Sequence, residues 1–338
     1  MSQNKIQRGS SALAIKAGFW YVVSTFLVRA ATFITTPIFS RLMTQSDYGE
    51  FSNFASWQVF LLIITGAELY NTLNRAYYDY EDDYDSYVST VTLMGFGITL
   101  VVYVLFLLCR GFIFNIVSIP EKYVHLLFFL LLFQCSKQIF LARERVFYRV
   151  KSVAVLSAVN LLVPTVISIF LVVVLPEADR LDSRIYGYYV PSAIIGMFCA
   201  IPLIKSIKKI KFEYCKYAIV LAIPLLAQYL TTFLLTTSNT IIAKTMLGAA
   251  SAAIVSIAAS TIHLLTYFFQ AVSGAFTTWL MDNLEQKEQG KARKGTLAYV
   301  CLLALVAGGV ILISPEVVLI LGSKKYMAPE ADAPTSIW

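Results

Sequence analysis

The sequence predicts an all-α polytopic membrane protein. Three observations carry that expectation. Apolar runs of about 20 residues, long enough to cross a hydrocarbon core, recur along the chain. Hydrophobic residues make up 58% and charged residues 14%, with a mean hydropathy of +0.71, far from the ~25% charge of ordinary soluble domains. The runs also lack the period-two alternation of a membrane barrel, and backbone in lipid must satisfy its own hydrogen bonds, so they are helices.

Residues 1–16 are polar and basic, with no small-residue cleavage site behind an apolar core, so the first run is expected as a retained span over 18–37. It carries Arg29 and ends at Pro37. A polar corner with Arg41 and Asp47-Tyr48-Gly49 leads to the second span, 51–70. In 71–87, Leu73, Tyr77, Tyr80, Tyr84 and Tyr87 recur at helical spacing opposite Glu81, Asp82, Asp83 and Asp85. That pattern suits a helix lying in the membrane interface, where tyrosine is at home. Seven further spans are expected at 88–108, 123–142, 153–175, 185–204, 217–239, 250–272 and 297–314. A short apolar piece, 317–321, follows Pro315 and counts as a partial tenth.

Alternate loops differ in charge. If the N-terminus is cytoplasmic, that side holds 17 Lys and Arg against 8 on the other, with Arg29 and Lys137 inside spans. The bias predicts an N-terminus-in orientation and accounts for the net charge of +7 without nucleic-acid binding. The connections are short and leave no room for a soluble catalytic domain. Cys109, Cys135, Cys199, Cys215 and Cys301 are scattered without a CxxC, and His125 and His263 have no ligand-type residue at metal spacing, so neither a disulfide framework nor a metal site is expected. No phosphate-binding loop signature is present and no cofactor is implied. The run Glu81 to Asp85 contains an Asp-x-Asp pattern, but it falls on the cytoplasmic side and suits a solvated loop.

Ionisable groups inside spans are costly and are the first functional candidates. Arg29 either snorkels or pairs with a neighbour, or it faces a hydrated cavity and binds an anion. Lys137 either snorkels to the cytoplasmic surface or joins it. Arg41 and Lys244 occupy matching corners of a weak internal repeat at an offset of 203, in which 51–56 faces 254–259. The offset covers six spans, so the two copies share one orientation. Gln228 and Asn239 lie in the seventh span among Thr231, Thr232, Thr236, Thr237 and Ser238, where polar side chains line a cavity or hold helices together.

Several ordered pieces carry a resemblance. They are Thr36-Pro-Ile-Phe-Ser-Arg-Leu-Met43, Asp47-Tyr-Gly-Glu-Phe51, Asn74-Arg-Ala-Tyr-Tyr78, Tyr87-Val-Ser-Thr90, Ile223-Pro224, and Pro315-Glu-Val-Val-Leu-Ile-Leu-Gly322 with Lys325-Tyr326. Together they resemble the Wzx-type polysaccharide biosynthesis flippases of the multidrug/oligosaccharidyl-lipid/polysaccharide exporter superfamily. The resemblance implies a two-lobed, MATE-like transporter in the bacterial cytoplasmic (inner) membrane, moving undecaprenyl-diphosphate-linked oligosaccharide units for O-antigen, capsule or exopolysaccharide synthesis. It implies membrane lipid, a polysaccharide polymerase and a chain-length regulator as partners, and no nucleic acid. On that pattern 1–215 forms an N-terminal lobe of six transmembrane helices and 216–338 an incomplete C-terminal lobe of three with a tail. Arg29, Arg41, Lys137 and Lys244 become candidate cations for the diphosphate. Family members often carry an acid after the serine of the seventh span, where this chain has Ser238-Asn239, so no role of that acid carries over. The family also continues beyond the Lys-Tyr pair, so the chain is expected to be truncated.

Two alternatives remain at this stage. A multidrug or small-cation exporter of the same superfamily would prefer cavity acids to a mid-span arginine. A membrane glycosyltransferase or polymerase would need a large extracytoplasmic loop, which the span pattern does not provide.

Overall fold

The computed structural model describes residues 33–109, 119–205, 210–285 and 289–326, and among them every regular element is helical. Residues 33–42 form α1. Then come α2 (Gln45–Gly66), α3 (Leu69–Asp79), α4 (Tyr84–Leu108), α5 (Glu121–Val146), α6 (Val150–Val174), α7 (Arg180–Lys205), α8 (Phe212–Thr236), α9 (Ser238–Leu247), α10 (Ala249–Glu285) and α11 (Gln289–Gly322). Short 3₁₀ turns precede α4 and α7 and follow α11.

Local chemistry sets the breaks. Thr44 caps α2, its hydroxyl oxygen accepting from the Asp47 amide at 3.0 Å. Ala67 and Glu68 are both left-handed (φ 43° and 53°), which ends α2 and swings the chain into α3. Glu68 holds that turn by accepting from the Asn71 side chain at 2.8 Å. Pro120 and Pro176 stand where a helix or 3₁₀ turn begins, positions that need no backbone donor.

Among the described residues, six helices are long and apolar enough to cross a membrane: Glu81–Leu108, Glu121–Val146, Lys151–Val174, Glu177–Lys205, Phe212–Thr236 and Gly290–Gly322. They match six of the nine expected spans and identify a multi-pass membrane protein. Most of the expected span 18–37, with Arg29, lies outside the described residues. The expected span 51–70 corresponds to α2, whose many polar residues set it apart from those six. The span expected at 250–272 lies within α10, a helix of 37 residues. The piece 317–321 is not a separate tenth element, because α11 runs through Pro315 to Gly322 without a break. The segment 71–87 divides between α3, a 3₁₀ turn and the start of α4, and its Leu73, Tyr84 and Tyr87 are buried rather than interfacial.

Packing is close because small residues sit at the crossings. A Cβ on Gly196 of α7 would lie 2.6 Å from the Phe133 carbonyl oxygen on α5, and one on Gly187 would lie 2.8 Å from the Ser168 Cα on α6. Helices in lipid associate through such contacts, since apolar burial alone gains little there. Three clusters result. Phe54, Leu127 and Tyr189 join α2, α5 and α7. Leu73, Tyr87, Ile139 and Tyr214 join α3, α4, α5 and α8. Phe39, Tyr48, Val172, Ile257 and Tyr326 join α1, α2, α6, α10 and the end of the described chain.

Candidate functional site

A cavity of about 230 Å³ opens between α1, α2, α7, α8, α9 and α10. Its walls come from helices that sequence assigns to different lobes. Hydroxyl side chains dominate: Thr35 and Thr36 on α1, Ser52 and Ser56 on α2, Thr236 and Thr237 at the α8–α9 break, Thr240 on α9, and Ser256 and Ser260 on α10. Many of these spend their proton on their own helix. Ser52 donates to the Tyr48 carbonyl (2.8 Å), Ser56 to Ser52 (2.8 Å), Thr236 to Thr232 (2.8 Å) and Ser260 to Ser256 (3.0 Å). Their remaining lone pairs are acceptors. Such a wall suits a ligand rich in hydroxyl donors.

Among the described residues, one cation lines it. Arg184, on the second turn of α7, is only 9% exposed. Its guanidinium carbon lies 3.4 Å from the Phe39 ring centre, 4.3 Å from Phe51 and 5.3 Å from Tyr188. Nη1 donates to the Ser168 hydroxyl at 2.9 Å, while Nε is buried with no partner. Aromatic faces stabilise a desolvated guanidinium without neutralising it. The group keeps its charge and spare donor capacity for an anionic oxygen. No carboxylate lines the cavity among the described residues.

Above the cavity the helices are tied across one face. Glu50 on α2 pairs with Lys244 on α9. Ser40 donates to the Leu321 carbonyl at 2.6 Å, Arg41 to Ile320 at 3.2 Å, and Lys325 to Met43 at 2.5 Å. A Cβ on Gly49 would lie 2.6 Å from the carbonyl carbon of Ala249, so α2 and α10 touch through backbone. Arg180 adds a bond to the Leu42 carbonyl at 2.7 Å.

The opposite face has its own clasp. Asp83 accepts from Lys211 (2.5 Å), Tyr214 (2.6 Å) and Ser86 (2.5 Å), Asp85 pairs with Arg143 (3.1 Å), and Tyr217 donates to Asp79. The Tyr217 hydrogen bond holds the Asp79 carboxyl below its usual range, and the hydrogen bond to Asp83 holds the Lys211 ammonium above its own. The acidic run 81–85 is therefore a structural tie between α4 and the elements around it.

The structure separates the residues singled out in sequence. Arg29 lies outside the described residues. Arg41 and Lys244 belong to the tie above the cavity. Lys137 is buried between α5, α6 and α7, away from the cavity lining. Gln228 and Asn239 are exposed, and it is their neighbours Thr236, Thr237 and Thr240 that line the space. Arg184 was missed, being counted as a loop residue before a span starting at 185. The helix in fact starts at Arg180, which puts Arg184 inside the bundle. A signal was present: the 3.6-residue period continues from Arg184 through Tyr188. All five cysteines are unpaired, and among the described residues no three His, Cys, Asp or Glu side chains gather as a metal site.

A family model described as "Polysaccharide biosynthesis protein" matches residues 14–277. No curated protein and no solved structure matches the chain.

Proposed function

The chain belongs to the polysaccharide biosynthesis protein family, and from that premise we propose that it moves polyprenyl-diphosphate-linked oligosaccharide units across the bacterial cytoplasmic membrane. The observation that supports this most is the cavity itself. A wall of hydroxyl acceptors meets sugar hydroxyls, and one aromatic-caged guanidinium meets an anionic group of the same cargo. At about 230 Å³ the space lies below the usual range of small-molecule sites, so it takes a headgroup or a sugar but not a whole repeat unit. Passage of the rest requires the walls to separate, which suits two lobes rocking about a shared site. The ties on one face and the clasp on the other are the contacts such rocking makes and breaks. A cation exporter would use acids here, and the described lining has none. On this reading the chain acts as a transporter rather than an enzyme, with its N-terminus in the cytoplasm.

Expression of Arg184→Gln and Arg184→Lys in cells lacking the native gene tests the assignment. Arg184→Gln is expected to insert at normal levels and to lose surface polysaccharide by tenfold or more. Arg184→Lys keeps the charge but loses the planar stacking, and is expected to fall in between. Normal polysaccharide in Arg184→Gln refutes the role. Arg29→Ala in the same assay tests whether a second cation takes part.

A further inference from the structure

Lys137 is a buried cation that the cavity does not use. It is 4% exposed, about two-thirds of the way along α5. Its ammonium directs three hydrogen bonds to three neutral oxygens: Gln134 Oε1 (3.0 Å), Asn160 Oδ1 on α6 (2.7 Å) and Ser192 Oγ on α7 (3.2 Å). All three protons are used, so the group has no donor left for an anion. No carboxylate pairs with it among the described residues. Cys199 on α7 is the titratable group that acts on it electrostatically. Glu68, at the α2–α3 turn, acts on Cys135 beside it, α4 presents Gly95 to Cys135, and α6 contributes the neutral Asn160. The Arg143–Asp85 pair lies six residues further along α5.

The two acceptors on neighbouring helices are specially placed. Pro164 lies four residues after Asn160, so its missing N–H leaves the Asn160 backbone carbonyl without its helical donor. Ser192 directly follows Pro191, which interrupts α7 in the same way. Lys137 therefore ties α5 to the two points where its neighbours bend most easily. A lysine ammonium passes readily between charged and neutral forms when buried, whereas an arginine stays charged.

We propose that Lys137 is a proton-binding site that couples proton exchange to bending of α6 and α7 at Pro164 and Pro191. The step is Lys–NH₃⁺ to Lys–NH₂, with the proton passing to water. Two donors then serve three oxygens, and because Asn160 and Ser192 are two of the three, the ties to the proline-interrupted helices weaken. The coupling rests on the transport reading above, but the site and its motion do not require cargo.

The test uses the purified full chain in lipid nanodiscs, with the partly or fully exposed Cys109, Cys215 and Cys301 replaced. Spin labels sit at exposed Phe129 on α5 and exposed Val173 beyond Pro164 on α6. The nine residues from Pro164 to Val173 span about 14 Å, so a bend of about 20° moves the label by about 5 Å. The wild-type distance is expected to shift by that amount in one step between pH 5 and pH 10. Lys137→Arg is expected to hold the low-pH distance throughout, and Lys137→Met the high-pH distance. Should Lys137→Met fail to fold, Lys137→Arg still decides. A pH-independent distance in the wild type, or a shift that survives in Lys137→Arg, overturns the proposal. A normal pH step in a protein that does not support polysaccharide export would instead count against the cargo alone.

Discussion

Replacing Gly49 by alanine is expected to open the tied face of the cavity. The added methyl would lie 2.6 Å from the Ala249 carbonyl carbon and 3.2 Å from its Cα, and closer still to the oxygen. Carbon atoms pack at about 3.5 Å or more and the oxygen contact is tighter still, so α2 and α10 must part by well over ~1 Å. Backbone atoms cannot swing aside as a side-chain tip can. Overpacking of this kind costs about 1–3 kcal/mol, and it falls on the closed arrangement alone. A bias of that size shifts a two-state equilibrium by roughly fivefold to more than a hundredfold. The Glu50–Lys244 pair begins one residue from the clash and would be strained with it. The assay places a cysteine at Ser52, which is buried against the cavity, in a background without the five native cysteines. A membrane-impermeant maleimide is then applied from the outer face. Ser52→Cys alone is expected to label slowly, and Ser52→Cys with Gly49→Ala at least fivefold faster. Gly97→Ala is the control, because a Cβ there meets nothing within 4 Å. Equal labelling of Gly49→Ala and Gly97→Ala, with both inserted and folded, refutes the reasoning.

The same face offers a charge test. Glu50→Lys and Lys244→Glu each leave a like-charged pair in a largely buried contact and should each speed the labelling; the double swap should restore protection, with a coupling of about 1–3 kcal/mol in a double-mutant cycle. Failure of the double swap to restore it removes the pair from the tie. The opposite clasp predicts a pH window. Asp79 is depressed, so its contribution is present above the ordinary carboxylate range and is lost as pH falls through it. Lys211 is elevated, so its contribution is present below the ordinary lysine range and is lost as pH rises. Hydrogen exchange of residues 210–217 should be slowest between about pH 4 and pH 10, after correction for intrinsic rates, and rise on both sides. A flat corrected profile contradicts the assignment.

Much of the architecture was legible because hydropathy is a local property. Six expected spans coincide with six helices of crossing length. Where the expectation slipped, a single residue decided. Consecutive left-handed Ala67 and Glu68 divide α2 from α3, although neither residue type announces that conformation. Pro315, which looked like a terminator, is carried inside α11. Thr237 marks a break inside the span expected at 217–239, so α8 and α9 are separate helices.

By itself the sequence determined that this is a helical membrane protein, roughly where its helices run, and which residues were too polar to be there without cause. Only the tertiary structure decided what those polar residues do. Lys137 and Arg184 are both lone cations near apolar runs, yet one is saturated by three neutral oxygens and the other lies under aromatic rings with a donor to spare. Arg41 and Lys244, matched by repeat, turn out to tie one face together. The reason is physical: span position depends on how apolar consecutive residues are, whereas a buried charge is governed by partners 20 to 280 positions away, brought close only when helix faces pack.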